Sequence, residues 1–331
     1  MKISVLGAGS WGTTLACLLA NNGHKVYLWE INEQAAEKLD KERLIPFIGG
    51  ATIPETVVVS SDLNIINETD AVLFVVPSHF LRSTVMSIKA KNIDLGKKLV
   101  ISATKGIENK SLLRVSQIIE EIFPDTKDKV VALSGPSHAE EVSKKIPTLV
   151  TSASKDEQNA IKVRDLFIND YFRVYTQDDI IGVELGASLK NVFAIAGGII
   201  DGLNFGDNTK AAIVSRGLNE LIKLGVILGG KEKTFYGLSG VGDLMVTCFS
   251  KHSRNRNLGE MLAKGKTLKE AEKELKMVAE GVKTCMSAYE LGQKYNVELP
   301  IINEVYEILF NNKDATNAVY DLMTRTPKSE F

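Results

Sequence analysis

KISVLGAGSWGTTLACLLANNGHKVYLWE, residues 2–30, reads as strand, glycine turn, helix and strand in one unbroken run. KISVL and KVYLW are nearly continuous apolar runs, as expected of strands covered on both faces. GAGSWG, Gly7 to Gly12, matches G-x-G-x-x-G directly after the first strand and directly before the helix. In that context Gly7 allows a tight turn, Gly9 lets a pyrophosphate approach the backbone, and Gly12 lets helix and strand pack closely. The N–H groups at the helix start then favour phosphate. This βαβ unit predicts a dinucleotide site.

Further strands are predicted in TVVVS (56–60), AVLFVV (71–76), KLVISA (98–103) and VVALSG (130–135), with helical patterns between several of them. PTLVTSAS (147–154) and YFRVYT (171–176) extend the sheet. After about residue 176 the periodicity is helical throughout. The predicted fold is α/β: an N-terminal Rossmann-like doubly wound sheet, residues 1–179, followed by an all-α C-terminal domain, residues 180–331.

The chain has 331 residues, 44% hydrophobic and 24% charged, with a net charge of -1, so neither a nucleic-acid partner nor an acidic tail is indicated. Cys17, Cys248 and Cys285 follow no metal or disulfide spacing, and the four histidines are scattered, so no metal site is expected and a reducing cytoplasm fits. The glycines that interrupt residues 1–20 argue against a secretory signal. Strong polar interruptions argue against a transmembrane segment.

The second strand ends at Glu30, at about the spacing of a carboxylate that accepts from a ribose 2′-OH and repels a 2′-phosphate. A solvated strand-end glutamate is the alternative. Loops after the later strands place Lys105, Gly135 and Ser137 near the crevice at the sheet's carboxyl ends, although a lone lysine there also reads as solvation. VELGASLKNVFAIAGGIIDGL (183–203) holds one lysine, Lys190, in an apolar run. Gly186, Ala187, Ala194 and Gly197 on the same face, with Phe193 beside them, leave room next to its ammonium. A desolvated lysine there would exchange protons near neutral pH; a lysine snorkelling to water is the alternative. Ser253 reads as an N-cap preceding Arg254, Asn255 and Arg256, a phosphate site or an ordinary helix start. Asp243, in a glycine-rich turn, would hold a lysine ammonium.

As an ordered set, GAGSWGTTLA, ATKGIE, SGPSHAEEV, VELGASLKNVFAIAGG, GLSGVGDLMVTC, SRNRNLG and VAEGVKT resemble the NAD(P)-dependent glycerol-3-phosphate dehydrogenases of bacteria over essentially the whole chain. The resemblance implies reduction of dihydroxyacetone phosphate to sn-glycerol 3-phosphate for phospholipid synthesis, with Lys190 as proton donor and acceptor. It implies a substrate pocket of Lys105, Gly135, Ser137, Lys190, Asn191, Asp243, Ser253, Arg254 and Asn255. It implies cofactor contacts at Ser10, Trp11, Lys105, Ala139, Arg254, Val278 and Glu280, beside the glycines. His138 stands where many members carry Phe. Glu30 leans the choice between NAD(H) and NADP(H) towards NAD(H). A homodimer is compatible with the resemblance. A β-hydroxyacid dehydrogenase, with a carboxylate-binding pocket, is the alternative enzyme, and a nicotinamide-sensing regulator the alternative outside enzymes.

Overall fold

A computed structural model describes residues 1–275 and 279–330. Its strands are β1 (Lys2–Leu6), β2 (Lys25–Trp29), β3 (Val57–Ser60), β4 (Ala71–Phe74), β5 (Leu99–Ser102), β6 (Val131–Ser134), β7 (Thr148–Ala153) and β8 (Phe172–Gln177). They form one sheet in the order β3-β2-β1-β4-β5-β6-β7-β8. Every pair is parallel except β6 with β7, which is antiparallel. Successive residues supply opposite faces: Ala71, Leu73 and Ile101 enter one apolar cluster, while Val72, Phe74 and Val100 enter another. A strand buried on both faces has no polar side to show, which is why these segments read as unbroken apolar runs.

The chain divides into two units. The first comprises Met1–Gly106 and Leu113–Glu184; the second comprises Ile107–Leu112 and the residues from Leu185 onward. In the first unit the order reverses at β1, whose neighbours are β2 and β4. That reversal opens the crevice in which such sheets bind ligands.

Among the described residues no strand follows Gln177. Helix Ile180–Gly202 runs for 23 residues and is long and apolar enough to cross a membrane by length and composition only, a test that the core helix of a water-soluble fold also passes. Its most apolar window is 94% buried within the protein, as in a core helix. Its first turns belong to the sheet unit, where Glu184 accepts from the backbone and hydroxyl of Ser116, both at 2.7 Å, and from Arg114.

Within the second unit, Glu220 on helix Gly206–Ile227 accepts from the backbone N–H of Ile301 at 2.7 Å and of Ile302 at 3.2 Å. These are first-turn donors of helix Pro300–Phe310, which have no partner within their own helix. Burial pushes the Glu220 carboxyl from 4.5 up to about 7, against the downward pull of those two bonds. Because the folded value is raised, the native state holds a proton that the unfolded chain releases between these pH values. Stability from this group is therefore full below pH 4.5 and is lost as pH rises through 7. Urea midpoints of the wild type and Glu220→Gln, measured from pH 5 to 8, should converge at low pH and separate at high pH in favour of the variant. A separation independent of pH would contradict this.

Candidate active site

In the first unit the glycine turn follows β1. Gly7 has φ +112°, and a Cβ there would lie 2.9 Å from the carbonyl oxygen of Val75. Gly12 abuts the carbonyl of Gly7 with no space for a side chain. Gly9 is different: a Cβ built on it meets nothing within 4 Å. Gly9 also N-caps helix Ser10–Asn21, whose start has no side-chain cap and no acidic residue in its first turn. Open space in front of uncapped helix N–H groups fits a dinucleotide pyrophosphate. Ser10 donates from Oγ to the Pro46 carbonyl at 2.8 Å, and Trp11 packs half-buried on the sheet core.

Glu30 directly follows β2, whose last residue, Trp29, accepts at its carbonyl from the Gly7 N–H at 3.0 Å. The carboxylate of Glu30 accepts from the Asn32 N–H at 3.1 Å and stays partly exposed. It thus lies one residue beyond the strand end that the glycine turn contacts. Beyond β5 and β6, Lys105 Nζ donates to the Gly135 carbonyl at 3.3 Å, and Ser137 Oγ donates to the same oxygen at 2.9 Å. Gly135 has φ +154°, with the Val150 Cα where its side chain would start. Ala139 opens the short helix that follows.

In the second unit, Lys190 is 5% exposed. Its Nζ donates to Asp243 Oδ1 at 2.6 Å and to Thr247 Oγ1 at 2.7 Å, so it does not snorkel. Thr247 Oγ1 in turn donates to the Asp243 carbonyl at 2.6 Å. The glycines explain this arrangement, though not as the sequence reading had it. A Cβ on Gly186 would lie 2.5 Å from the Ser239 carbonyl oxygen, and one on Gly197 would touch Cys248 at 3.5 Å. At these two glycines the room is taken by the segment that carries Ser239 and Cys248. Gly186 and Ser239 cross at closest approach; one turn further along each segment, Lys190 meets Asp243, and Thr247 follows Asp243 by another turn. Gly240, at φ −100° and ψ −105°, breaks the wide π-type turn Leu238–Gly242 that delivers Asp243.

Asn255 Nδ2 donates to Asn191 Oδ1 at 3.0 Å, and Asn255 Oδ1 accepts from the Gly281 N–H at 2.9 Å. The pair links the lysine helix to the start of helix Glu280–Tyr295, which Glu280 opens. Ser253 caps helix Arg254–Ala263 by accepting from the Arg256 N–H at 3.2 Å. Arg254 is exposed at that N-terminus. Arg256 is turned away from it: its Nε lies 2.5 Å from Asp201 Oδ2, and Nη1 lies 3.3 Å from Glu260. It braces the helix and does not form a fork with Arg254.

Sequence reasoning missed Thr247; its only signal is a hydroxyl four residues after Asp243, on the same helix face. Val278 lies outside the described residues. Among the described residues no group of His, Cys, Asp and Glu is arranged to hold a metal. Burial raises the thiols of Cys17 and Cys248 to about 12, so neither is a ready nucleophile.

The family model described as NAD-dependent glycerol-3-phosphate dehydrogenase N-terminus matches residues 2–160, and that described as the C-terminus matches residues 179–320. A Fusobacterium nucleatum protein named glycerol-3-phosphate dehydrogenase [NAD(P)+] is 46% identical, covering 100% of this chain and 99% of its own. One of the same name from Bacillus cytotoxicus is 48% identical, covering 99% and 97%. The crystal structure of glycerol-3-phosphate dehydrogenase from Coxiella burnetii superposes with a TM-score of 0.93 at 36% identity, covering 98% of this chain and 99% of that one.

Proposed function

The chain belongs to the NAD-dependent glycerol-3-phosphate dehydrogenase family, and from that premise we propose which of its residues carry the reaction and how. The reaction is the reversible reduction of dihydroxyacetone phosphate to sn-glycerol 3-phosphate, with NAD(P)H as reductant. When bound, the nicotinamide supplies the hydride that reduces C2.

The Lys190 ammonium polarises the C2 carbonyl oxygen and gives it a proton as the alkoxide forms. In the oxidative direction the resulting amine takes the hydroxyl proton back. Asp243 and Thr247 hold the ammonium in one rotamer, so no reorganisation is needed at the moment of transfer. Arg254, Ser253 and the helix N-terminus they occupy take the phosphate monoester, and Lys105 adds positive field from its place beside Gly135 and Ser137. Asn191 and Asn255 keep the lysine helix, the phosphate helix and the Glu280 helix in register. The observation that carries this reading is the buried Lys190 ammonium fixed between Asp243 at 2.6 Å and Thr247 at 2.7 Å. A buried ion pair is weak evidence for stability, which favours an acid–base role for this lysine.

The test is loss of reduced-nicotinamide absorbance with dihydroxyacetone phosphate, set against unphosphorylated dihydroxyacetone and a 3-hydroxy acid run in reverse. Turnover of the hydroxy acid, without that of dihydroxyacetone phosphate, would move the chain to the β-hydroxyacid dehydrogenase reading. Binding of NADH with no turnover of either would favour a sensor.

Glu30 supports a preference for NADH. A carboxylate hydrogen-bonds a ribose 2′-OH and repels a 2′-phosphate. We expect kcat/KM to be at least tenfold higher with NADH than with NADPH, on the order of one lost charged contact, and Glu30→Ala to narrow that ratio mainly by improving NADPH. A wild-type preference for NADPH would remove Glu30 from the role. The same reading places the enzyme in the cytoplasm, where free, buried Cys17, Cys248 and Cys285 suit a reducing environment. It makes the product a precursor of glycerophospholipids and the assembly a homodimer, which sedimentation velocity would check.

A further inference from the structure

Residues Ile107–Leu112 leave the sheet unit immediately after Lys105 and Gly106 and belong to the second unit. Three hydrogen bonds fasten this strap to helix Glu280–Tyr295. Asn109 Nδ2 donates to the Lys283 carbonyl at 2.9 Å and to Ser287 Oγ at 2.8 Å, and Ser287 Oγ donates to the Ile107 carbonyl at 3.2 Å. Ser287 is fully buried. The backbone around these anchors is constrained. Gly106 has φ +148°, with Ser78 filling the space its side chain would take, while Lys110 and Leu112 hold left-handed φ values of 71° and 60°. A leucine in that region costs free energy and persists only where its surroundings over-determine it.

We propose that Asn109 and Ser287 are positioning residues for Lys105. The inference rests on the reading of Lys105 as a substrate lysine. Lys105 is held at its tip by the Gly135 carbonyl and, two residues along the chain, by the Ser287 hydroxyl on Ile107. Two residues span only about 7 Å, so the second anchor leaves the lysine backbone little slack. The chain two residues beyond Lys105 is thus fastened through Ile107 to Ser287. Misplacing a substrate-orienting group by about 1 Å can cost as much as 100-fold in rate; releasing this one anchor is a smaller disturbance.

A double-mutant cycle tests this. Asn109→Ala, and separately Ser287→Ala, are made in the wild type and in Lys105→Ala, and kcat/KM for dihydroxyacetone phosphate is measured with thermal midpoints. We expect about a tenfold loss in the wild-type background and less than a twofold loss where Lys105 is already gone, with equal shifts in thermal midpoint in both. A role confined to stability would give the same loss in both backgrounds, or no loss in either, and would overturn the proposal. If the wild type fails to reduce dihydroxyacetone phosphate at all, the functional reading itself fails. Additive losses on an active wild type sink only the strap.

Discussion

Lys190→Ala is expected to lower kcat for dihydroxyacetone phosphate reduction about ten-thousand-fold while changing the Kd for NADH only a few-fold. Positioned proton transfer contributes about 100- to 10,000-fold, and a preorganised donor to a developing oxyanion adds a comparable factor. On the proposed mechanism one ammonium provides both, so its removal takes both. The variant also leaves Asp243, 1% exposed, without its cation. Stranding a buried charge costs about 3–5 kcal/mol of stability, and instability could masquerade as lost chemistry. Lys190→Met combined with Asp243→Asn removes both charges together and separates the two effects. Lys190→Arg supplies a second control: it keeps the charge but cannot readily surrender a proton. Arginine should restore folding and leave turnover close to the alanine level. Fluorescence titration with NADH and single-turnover reduction measure the two halves of the expectation. Turnover within tenfold of wild type in any stably folded variant would end the general-acid assignment.

The same lysine shows how far sequence carries. Its isolation in an apolar run was legible, because an ammonium in such surroundings demands a partner. Asp243 could be named as that partner from its glycine-rich turn, but Thr247 could not, since a threonine inside a helix ordinarily bonds its own backbone. The small residues around Lys190 were visible, yet their purpose was not. Gly186 and Gly197 serve the approach of Ser239 and Cys248, and such a contact depends on which segments cross. The central strands β4, β5 and β6 could be read because every residue in them is buried, while β3 and β8, buried only in part, were legible from their β-branched and aromatic content. The antiparallel sense of β6 and β7 could not, since a strand's composition is indifferent to its direction. Arg256 and Arg254 look equivalent in SRNR; helical geometry sends one to Asp201 and leaves the other exposed at the N-terminus. The strap at Asn109 had no signal, because its meaning lies in a bond to Ser287, 178 residues away.

Arg254→Ala should act chiefly on the phosphate, with the cofactor contact that the family resemblance implies for Arg254 as the smaller part. A charge-assisted hydrogen bond to an ionised group is worth about 1.5–3 kcal/mol, which predicts a rise in KM for dihydroxyacetone phosphate of roughly 10- to 100-fold. Binding energy from a remote phosphate also positions the reacting carbon, so kcat should fall as well, by a smaller factor. Ser253 remains to cap the helix through the Arg256 N–H, and Arg256 remains tied to Asp201. The decisive comparison uses unphosphorylated dihydroxyacetone, which has no group for Arg254 to hold. Its low kcat/KM should be nearly the same in wild type and variant, while that for the phosphorylated substrate collapses towards it. Arg254→Lys should recover part of the loss, as a point charge without the fork geometry. Equal losses on both substrates would mean that Arg254 serves the cofactor or the fold. No loss on either would place the phosphate on other residues, with Lys105 the first to examine.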